Sequence, residues 1–293
     1  MKHFFRLKGA AAERMDAFRS EIPDHEIHRT ATEEIPRIDG RSGRGKEQTM
    51  HRQQNPDQIR VAARTDRGRV RASNQDAVIS ASPLFGVADG MGGHLGGEVA
   101  SSSCRDGIIE LLSGRDPEKE TMIQAVKIVN RRLFIRSQED ENLRGMGTTL
   151  TLLWAGEDRM HLAHVGDSRC YLLRDGELSQ VSEDHSMVME MVRAGILGRD
   201  EVRNHPMRNI ITRAVGTEVL VDVDYLERER REGDRWLICS DGLHGLVSED
   251  DLKRMMQETD LDQAADHLMQ AAMQAGGTDN ISLVLLSDRE AVQ

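Results

Sequence analysis

The sequence is poor in cysteine, with only Cys104, Cys170 and Cys239 among its 293 residues. An odd number of cysteines at such wide spacing cannot form a disulfide framework and is typical of a reducing compartment. The sequence also lacks a CxxC pair and any cluster of cysteine with histidine, which excludes the common type of zinc site.

Long apolar stretches and a surplus of basic residues are missing as well. No segment approaches the about 18 apolar residues that span a bilayer. The basic opening MKHFFRLKG is interrupted by Arg6 and Lys8 before it reaches signal-peptide length. Lys and Arg total 39 against 50 Asp and Glu, a formal net charge of −11. Nucleic-acid-binding proteins neutralise phosphates with basic surfaces, so we expect a soluble, cytoplasmic protein with no membrane and no nucleic-acid partner.

Residues 1–57 differ in composition from the rest of the chain. They combine few apolar residues with many charges of both signs, and such a segment cannot repay the entropy of ordering. We predict a flexible charged tail over 1–57 and a folded domain over 58–293. The segment 40–47 nearly fits the nucleotide-binding GxxxxGK[ST] pattern, but Glu47 replaces the hydroxyl that would hold Mg²⁺, so we interpret it as tail.

From residue 58 onward, short apolar runs alternate with amphipathic segments. Asp175-Gly176 lies between two apolar runs and predicts a two-residue hairpin turn, so the strands around it are expected to be antiparallel. The predicted strands, rich in Val, Ile, Leu and Thr, are 58–63, 84–88, 148–155, 159–165, 169–174, 222–226, 235–240 and 281–286.

Three predicted helices carry start or stop signals. The first has Asp116 as N-cap and Pro117 at its first position. The second follows the capping residue Ser248, and the third spans about 261–275 and ends at Gly276-Gly277. The apolar face of the first helix is formed by Met122, Val126, Val129 and Leu133. Grouped helices beside antiparallel strands indicate an α+β fold with helices covering the sheets.

Five acidic residues lie beside the ends of apolar runs, namely Asp76, Asp89, Asp167, Asp241 and Asp279. A single Asp-Gly pair is usually a turn. Five converging carboxylates, however, would repel one another unless cations lay between them, and oxygen ligands suit Mg²⁺ or Mn²⁺. A site with two such ions can bind and ionise a water for attack on phosphorus.

Three arginines precede the first of these acids. Arg67, Arg69 and Arg71 alternate along the chain, so in a strand they would share one face. A guanidinium can bind two phosphate oxygens at once, which makes each of the three a candidate phosphate ligand. The alternative is a solvated basic edge.

Eight segments resemble, in order, the motifs of the metal-dependent type-2C (PPM) Ser/Thr protein phosphatases, particularly the bacterial branch. They span nearly all of 58–293 and are TDRGRVRASNQD (65–76), VADGMGGHLGGEVAS (87–101), GMGTTL (145–150), HVGDSR (164–169), EDHS (183–186), HPMRNIITRAVG (205–216), LICSDGL (237–243) and GGTDNIS (276–282).

The resemblance implies a four-layer α/β/β/α sandwich with two central antiparallel sheets and metals at one end. It assigns two Mn²⁺ or Mg²⁺ ions to Asp76, Asp89, Asp241 and Asp279 together with the Gly90 carbonyl, and Asp89 would bridge both ions.

Further roles are implied by the same motifs. Asp167, with Asp241, matches a weaker third-metal position, and Arg71 matches the phosphate-binding arginine. Asn280 follows the last metal aspartate as in the family, in a supporting position. Gln75 stands where many relatives have Glu, and its amide is expected to tune a metal-bound water.

Two regions depart from the family or vary within it. His94 is offset from the histidine proposed as general acid in the animal enzymes; it is a candidate proton donor or a loop histidine. Residues 182–216 would form the flap, with a short helix around Met187. His205 and Arg213 could meet the substrate, although holding the flap in place is the interpretation we favour.

The implied reaction is hydrolysis of phosphoserine or phosphothreonine by a hydroxide that bridges the two ions. Phosphoproteins would be the substrates, a Ser/Thr kinase the functional counterpart, and a monomer the default state. Cysteine-based phosphatases are excluded, because they need an arginine six positions after the cysteine and these positions hold Glu110, Gly176 and Gly245.

Two alternatives remain. One is a catalytically silent phosphatase-like domain that binds a partner protein, although such domains usually lose metal ligands and all four aspartates are retained here. The other is a hydrolase of small phosphate esters.

Overall fold

The computed structural model describes residues 59–288, apart from the side chains of His94, Asp200, Arg203 and Asn204. The tail predicted over 1–57 and the segment 40–47 lie outside this part of the chain.

The described residues form short strands and six α-helices. The strands are β1 (Ile59–Asp66), β2 (Asp76–Ala81), β3 (Leu84–Met91), β4 (Gly147–Thr148), β5 (Leu150–Ala155), β6 (Arg159–Val165), β7 (Arg169–Arg174), β8 (Glu177–Gln180), β9 (Asp224–Glu229), β10 (Arg235–Cys239) and β11 (Ile281–Asp288). The helices are α1 (Gly93–Leu112), α2 (Lys119–Glu139), α3 (Met187–Arg193), α4 (Asp241–His244), α5 (Glu249–Met256) and α6 (Leu261–Gln274), with 3₁₀ turns at Glu141–Leu143 and Arg199–Asn204.

The strands build two antiparallel sheets. One sheet has the order β1-β11-β10-β7-β8, and the other has the order β2-β3-β5-β6-β9 with β4 added beside β3. The β7–β8 hairpin turns at Asp175 and Gly176, which both have positive φ (52° and 76°). The predicted two-residue turn is thereby confirmed.

Alternating side chains place the two sheets in the middle of four layers. In β10, Trp236 and Ile238 pack between the sheets, whereas Leu237 and Cys239 pack on the opposite face with α5 and α6. On the second sheet, Trp154 packs outward against α1 and α2, and Leu153 packs inward. This period-two division of one strand between two cores confirms the α/β/β/α sandwich.

Helix α2 begins later than its sequence signals predicted. Its N-cap is Glu118, whose carboxylate accepts a hydrogen bond from the Thr121 hydroxyl at 2.7 Å. Asp116 and Pro117 therefore precede the helix. The fixed φ of proline suits an extended approach as well as the first turn, so it marks the region of a helix start but not its register. The predicted apolar face is buried as expected.

The antiparallel pairing brings several strand ends to one end of the sandwich. The end of β10 lies beside the start of β11, where the Ser240 N–H donates to the Ser282 carbonyl at 3.0 Å. In the other sheet the first residue of β2, Asp76, pairs with Asp89 near the end of β3. Among residues 59–288, no helix is long and apolar enough to cross a bilayer.

Candidate active site

Five aspartates converge at this end of the sandwich. Asp76 and Asp89 face each other on β2 and β3. Asp241 follows β10, Asp279 precedes β11, and Asp167 follows β6. Because antiparallel neighbours alternate direction, the end of one strand and the start of the next share an edge, and this geometry draws residues distant in sequence together.

The carboxyl groups of this cluster are buried and interact strongly. Burial raises the pKa of Asp241 from its ordinary value near 3.8 to about 7, and repulsion from Asp279 and Asp76 adds to this effect. Burial likewise raises the pKa of Asp76 to about 6. The pKa values of Asp89 and Asp167 are also raised well above the ordinary value, first by burial and then by neighbouring carboxylates. The cluster therefore resists becoming fully ionised without added positive charge.

One carboxylate oxygen of the cluster is buried and has no hydrogen-bond partner, as expected of an oxygen that binds a cation. Asp76 Oδ2 accepts from the Ser240 hydroxyl at 2.8 Å, but the buried Asp76 Oδ1 has no hydrogen-bond partner. A buried, unsatisfied carboxylate oxygen is costly, and hard divalent cations bind such oxygens. The donor set therefore fits Mg²⁺ or Mn²⁺ in its chemistry.

The carboxylates do not form a closed coordination shell. In residues 59–288, no group of three or more His, Cys, Asp or Glu side chains is arranged so that it could hold a single ion. The mutual repulsion that raises the pKa values also opposes closer approach of the carboxylates. Small side-chain movements would therefore accompany metal binding.

Of the three candidate arginines, the structure brings Arg71 into the cluster. Its guanidinium donates to Asp279 Oδ2 at 2.6 Å, and this hydrogen bond raises the pKa of Arg71. The expectation that Arg67, Arg69 and Arg71 share a strand face is wrong. Strand β1 ends at Asp66, whose carboxylate accepts from the Gly68 N–H at 2.7 Å and turns the chain.

The loop that carries Arg71 is held by Asn280. The Asn280 side-chain amide donates to the carbonyl oxygens of Arg67 and Ser73, each at 2.9 Å. Its Oδ1 accepts from the Gln75 N–H at 2.8 Å. One buried side chain therefore connects the segment before β11 with both ends of the loop.

We expect Asn280→Ala to lower the free energy of unfolding by about 1 to 3 kcal/mol, because it leaves partly buried backbone groups without their side-chain partner. The variant Asn280→Asp keeps the acceptor for the Gln75 N–H but sets a carboxylate oxygen against the Arg67 and Ser73 carbonyl oxygens, so a loss at least as large is expected. Urea unfolding followed by circular dichroism measures both. Equal stability of the wild type and Asn280→Ala would contradict this role.

A groove extends from the cluster along the surface. It has a volume of about 830 Å³ and begins at Asp167, Asp241 and Asp279. One wall is formed by segments of 180–189 and 199–209, and the other by 244–250. The groove is large enough for several residues of a peptide beside the carboxylates.

Comparison with known proteins agrees with this geometry. A family model described as Protein phosphatase 2C matches residues 65–276. The serine/threonine protein phosphatase PstP of Mycobacterium tuberculosis is 40% identical over 233 residues, which cover 78% of this chain and 44% of PstP. The serine/threonine phosphatase stp of Listeria monocytogenes is 38% identical over 246 residues, which cover 78% of this chain and 96% of that relative. The chain belongs to the protein phosphatase 2C family.

Solved structures extend the match to the fold. The crystal structure of M. tuberculosis PstP superimposes with a TM-score of 0.76 at 38% identity, covering 79% of this chain and 99% of that chain. The PstP catalytic domain crystallised in complex with two manganese ions gives a TM-score of 0.74 at 37% identity, with 79% and 99% covered. The predicted family and fold are both confirmed.

Gln75 and His94, two residues predicted from the family motifs, are both located beside the start of α1. Gln75 donates through Nε2 to the Gly93 carbonyl at 2.8 Å, and its own carbonyl accepts from the Gly90 N–H at 3.1 Å. Gln75 therefore ties the start of β2 to the end of β3 and to the first residue of α1. His94 lies in the first turn of α1, but its side chain is outside the described part, so its role stays a prediction.

Two hydroxyl residues with no role predicted from the sequence also support the aspartate cluster of this 2C-family domain. The Asp89 N–H donates to Thr149 Oγ1 at 2.9 Å, and Thr149 Oγ1 and Ser168 Oγ are 2.7 Å apart. Thr149 thus links the Asp89 strand to the Asp167 loop. The sequence feature that could have predicted this role is the position of Thr149 and Ser168 within the GMGTTL and HVGDSR motifs.

The segment predicted as the flap is anchored beside Asp167. The His185 N–H donates to the Gly166 carbonyl at 2.7 Å, and the Gly166 N–H donates to His185 Nδ1 at 3.0 Å. Arg213 donates to Asp224 at 2.6 Å, which agrees with the interpretation that it holds the flap in place. His205 accepts from the Met207 N–H within the segment. The short helix predicted there is present as α3.

Proposed function

We propose that this protein hydrolyses phosphoserine and phosphothreonine in proteins with the help of two Mn²⁺ or Mg²⁺ ions. The observation that carries the proposal is the buried aspartate cluster with the Arg71 guanidinium at its edge. Its relatives support it, because they are named serine/threonine phosphatases and one was crystallised with two manganese ions.

The aspartates would hold the ions in the proposed reaction. Asp76, Asp89, Asp241 and Asp279, with the Gly90 carbonyl, would bind two of them, and Asp89 would contact both. Asp167, with Asp241, would provide a weaker third position. When bound, the ions would supply an ionised water as the nucleophile and would neutralise the charge of the phosphoryl group. Because the pKa values of Asp76 and Asp241 are raised, metal binding would release protons from the cluster.

Arg71 would bind the phosphoryl oxygens and orient the phosphorus for attack. It already lies against Asp279 with its side chain about half exposed, so a phosphate oxygen can reach the guanidinium from solvent. A planar guanidinium binds two such oxygens and stabilises charge that develops in the transition state. His94 is retained as a candidate donor of the proton to the leaving alcohol.

The groove favours protein substrates over small phosphate esters. A small ester would occupy only the end beside Asp241, whereas the peptide around a phosphorylated residue would also contact the walls at 180–189 and 244–250. Binding energy from such remote contacts can be used to orient the reacting group. Phosphoproteins are therefore the substrate class that we propose.

The cellular compartment, the functional counterpart and the oligomeric state are proposed from the cysteine chemistry and from the family. The three cysteines are free and buried, which suits a reducing cytoplasm. A bacterial phosphatase of this kind would oppose a Ser/Thr kinase, and a monomer is sufficient because one chain supplies every proposed ligand. We assign the catalytic domain to 58–293 and the flap to about 182–216.

The proposal is tested by phosphate release from a phosphothreonine peptide by the full chain with Mn²⁺, with p-nitrophenyl phosphate as the small ester. We expect turnover of the peptide that EDTA abolishes and Mn²⁺ restores. No turnover in folded, Mn²⁺-bound protein would favour the silent binding domain. Turnover of the small ester alone would overturn the protein-substrate assignment.

A further inference from the structure

His244 connects the two segments that carry Asp241 and Asp167. It is the last residue of α4, the four-residue helix that begins at Asp241, and it lines the groove. Its Nε2 lies 3.0 Å from the Asp167 carbonyl oxygen. A carbonyl oxygen can only accept, so Nε2 carries the proton and donates.

The two connected segments lie at the same end of the neighbouring strands β10 and β7. Asp241 follows β10, and Asp167 lies between β6 of the other sheet and β7, which pairs with β10 from Arg169 opposite Cys239. The Asp167 loop is also held by Thr149 and Thr151 on Ser168, by His185 on Gly166, and by the pairing of β7 with β10. The hydrogen bond from His244 therefore adds a direct tie from the Asp241 helix to the Asp167 backbone.

Two charged residues that act electrostatically on His244 are themselves held in place. Arg169 and Asp184 form an ion pair with Nη2–Oδ2 at 2.7 Å, and the Gln180 amide donates to Asp184 at 2.9 Å. Asp184 is buried at 6% exposure. The charged environment of the His244 ring is therefore fixed.

We propose that His244 is a positioning residue that sets the separation of Asp167 and Asp241 and thereby the affinity of the weaker third cation position. The inference rests on the proposed function, which supplies the metal at this position. Partners that orient ligands from behind typically change metal affinity about 10- to 100-fold when they are removed.

The test compares His244→Gln with His244→Asn in the full chain. The Gln amide nitrogen is as many bonds from Cβ as imidazole Nε2 and can replace the donor, whereas the shorter Asn cannot reach it. Mn²⁺ binding is measured by calorimetry and by the electron paramagnetic resonance signal of free Mn²⁺. Asp167→Asn identifies the weaker ion, and His267→Asn, an exposed histidine bonded to Glu258, controls for loss of a histidine.

We expect the weaker Mn²⁺ to dissociate about tenfold more readily from His244→Asn, with the two tighter ions unchanged and the affinity largely restored in His244→Gln. The inference would be overturned by equal affinities in wild type and His244→Asn, by equal loss in Gln and Asn, or by a wild type that binds only two ions. Peptide turnover is assayed separately. Wild type that binds three ions without turnover would contradict the proposed function but not this role of His244.

Discussion

Replacing Asp241 with asparagine is expected to lower Mn²⁺-dependent phosphate release by about 100- to 1,000-fold. In the proposed mechanism Asp241 would contact both the main metal pair and the third position, and metal ions contribute several kcal/mol to charge stabilisation in such reactions. The measurement is kcat/KM for a phosphothreonine peptide at saturating Mn²⁺.

The same substitution should have the opposite effect on the stability of the metal-free protein. The pKa of Asp241 is raised to about 7, so the folded state loses stability as pH rises from about 4 through 7. Asparagine removes this loss. In EDTA we expect Asp241→Asn to be more stable than wild type by roughly 2 to 4 kcal/mol at pH 8 and nearly equal to it at pH 4.

Asp116→Asn is the matched control, since Asp116 is exposed and precedes α2. We expect it to change neither turnover nor stability beyond about 0.5 kcal/mol. Lower stability of metal-free Asp241→Asn at pH 8 would show that the Asp241 carboxylate is structural rather than held ready for a cation.

Replacing Arg71 with alanine is expected to lower kcat/KM for the peptide by about 10- to 100-fold, because hydrogen bonds to charged groups contribute about 1.5 to 3 kcal/mol. Inhibition by inorganic phosphate should weaken in parallel, since product and substrate would both bind the Arg71 guanidinium in the proposed mechanism. Arg71→Lys should recover only part of the loss, because an ammonium group cannot bind two oxygens in one plane.

Arg69→Ala provides the control for Arg71. Arg69 lies in the same turn, and its backbone N–H bonds to the Gly277 carbonyl at 2.7 Å, a contact that alanine retains. We expect turnover close to wild type. Equal losses from Arg69→Ala and Arg71→Ala would indicate that the basic turn acts through its overall charge and would contradict a specific phosphate contact.

Local patterns in the sequence were sufficient to predict the family and much of the fold. Ser248 caps α5 by accepting from the Asp251 N–H, and Asp175-Gly176 forms the predicted turn. The helix cap and the turn are each determined by residues within a few positions of one another, so they can be predicted without knowledge of the tertiary structure. The aspartates were visible because each follows or precedes an apolar run.

Other elements depend on contacts that no local pattern records. Strand β2 was not predicted, and it is defined by pairing with β3. Helix α1 begins with Gly93, Gly96 and Gly97, which are weak helix formers on their own. Gly242 is a related case, because a Cβ there would collide with the Asn280 carbonyl oxygen, a constraint that only the folded structure reveals.

The contacts that position the site were also hidden in the sequence. Asn280 bonds to residues more than 200 positions away, and His244 bonds across 77 positions to Asp167. Pairings over such separations depend on the sandwich bringing the strand ends together. The motifs therefore predicted which residues come together at this end of the sandwich, but not how they are held.

The central claim is that the aspartate cluster binds two cations, and a manganese anomalous difference map from crystals of the full chain grown with Mn²⁺ tests it most directly. We predict two strong peaks about 3.5 to 4 Å apart, bounded by Asp76, Asp89, Asp241 and Asp279, with Asp89 in contact with both. A map with no peak among these carboxylates, in crystals that hold Mn²⁺ elsewhere, would contradict the account.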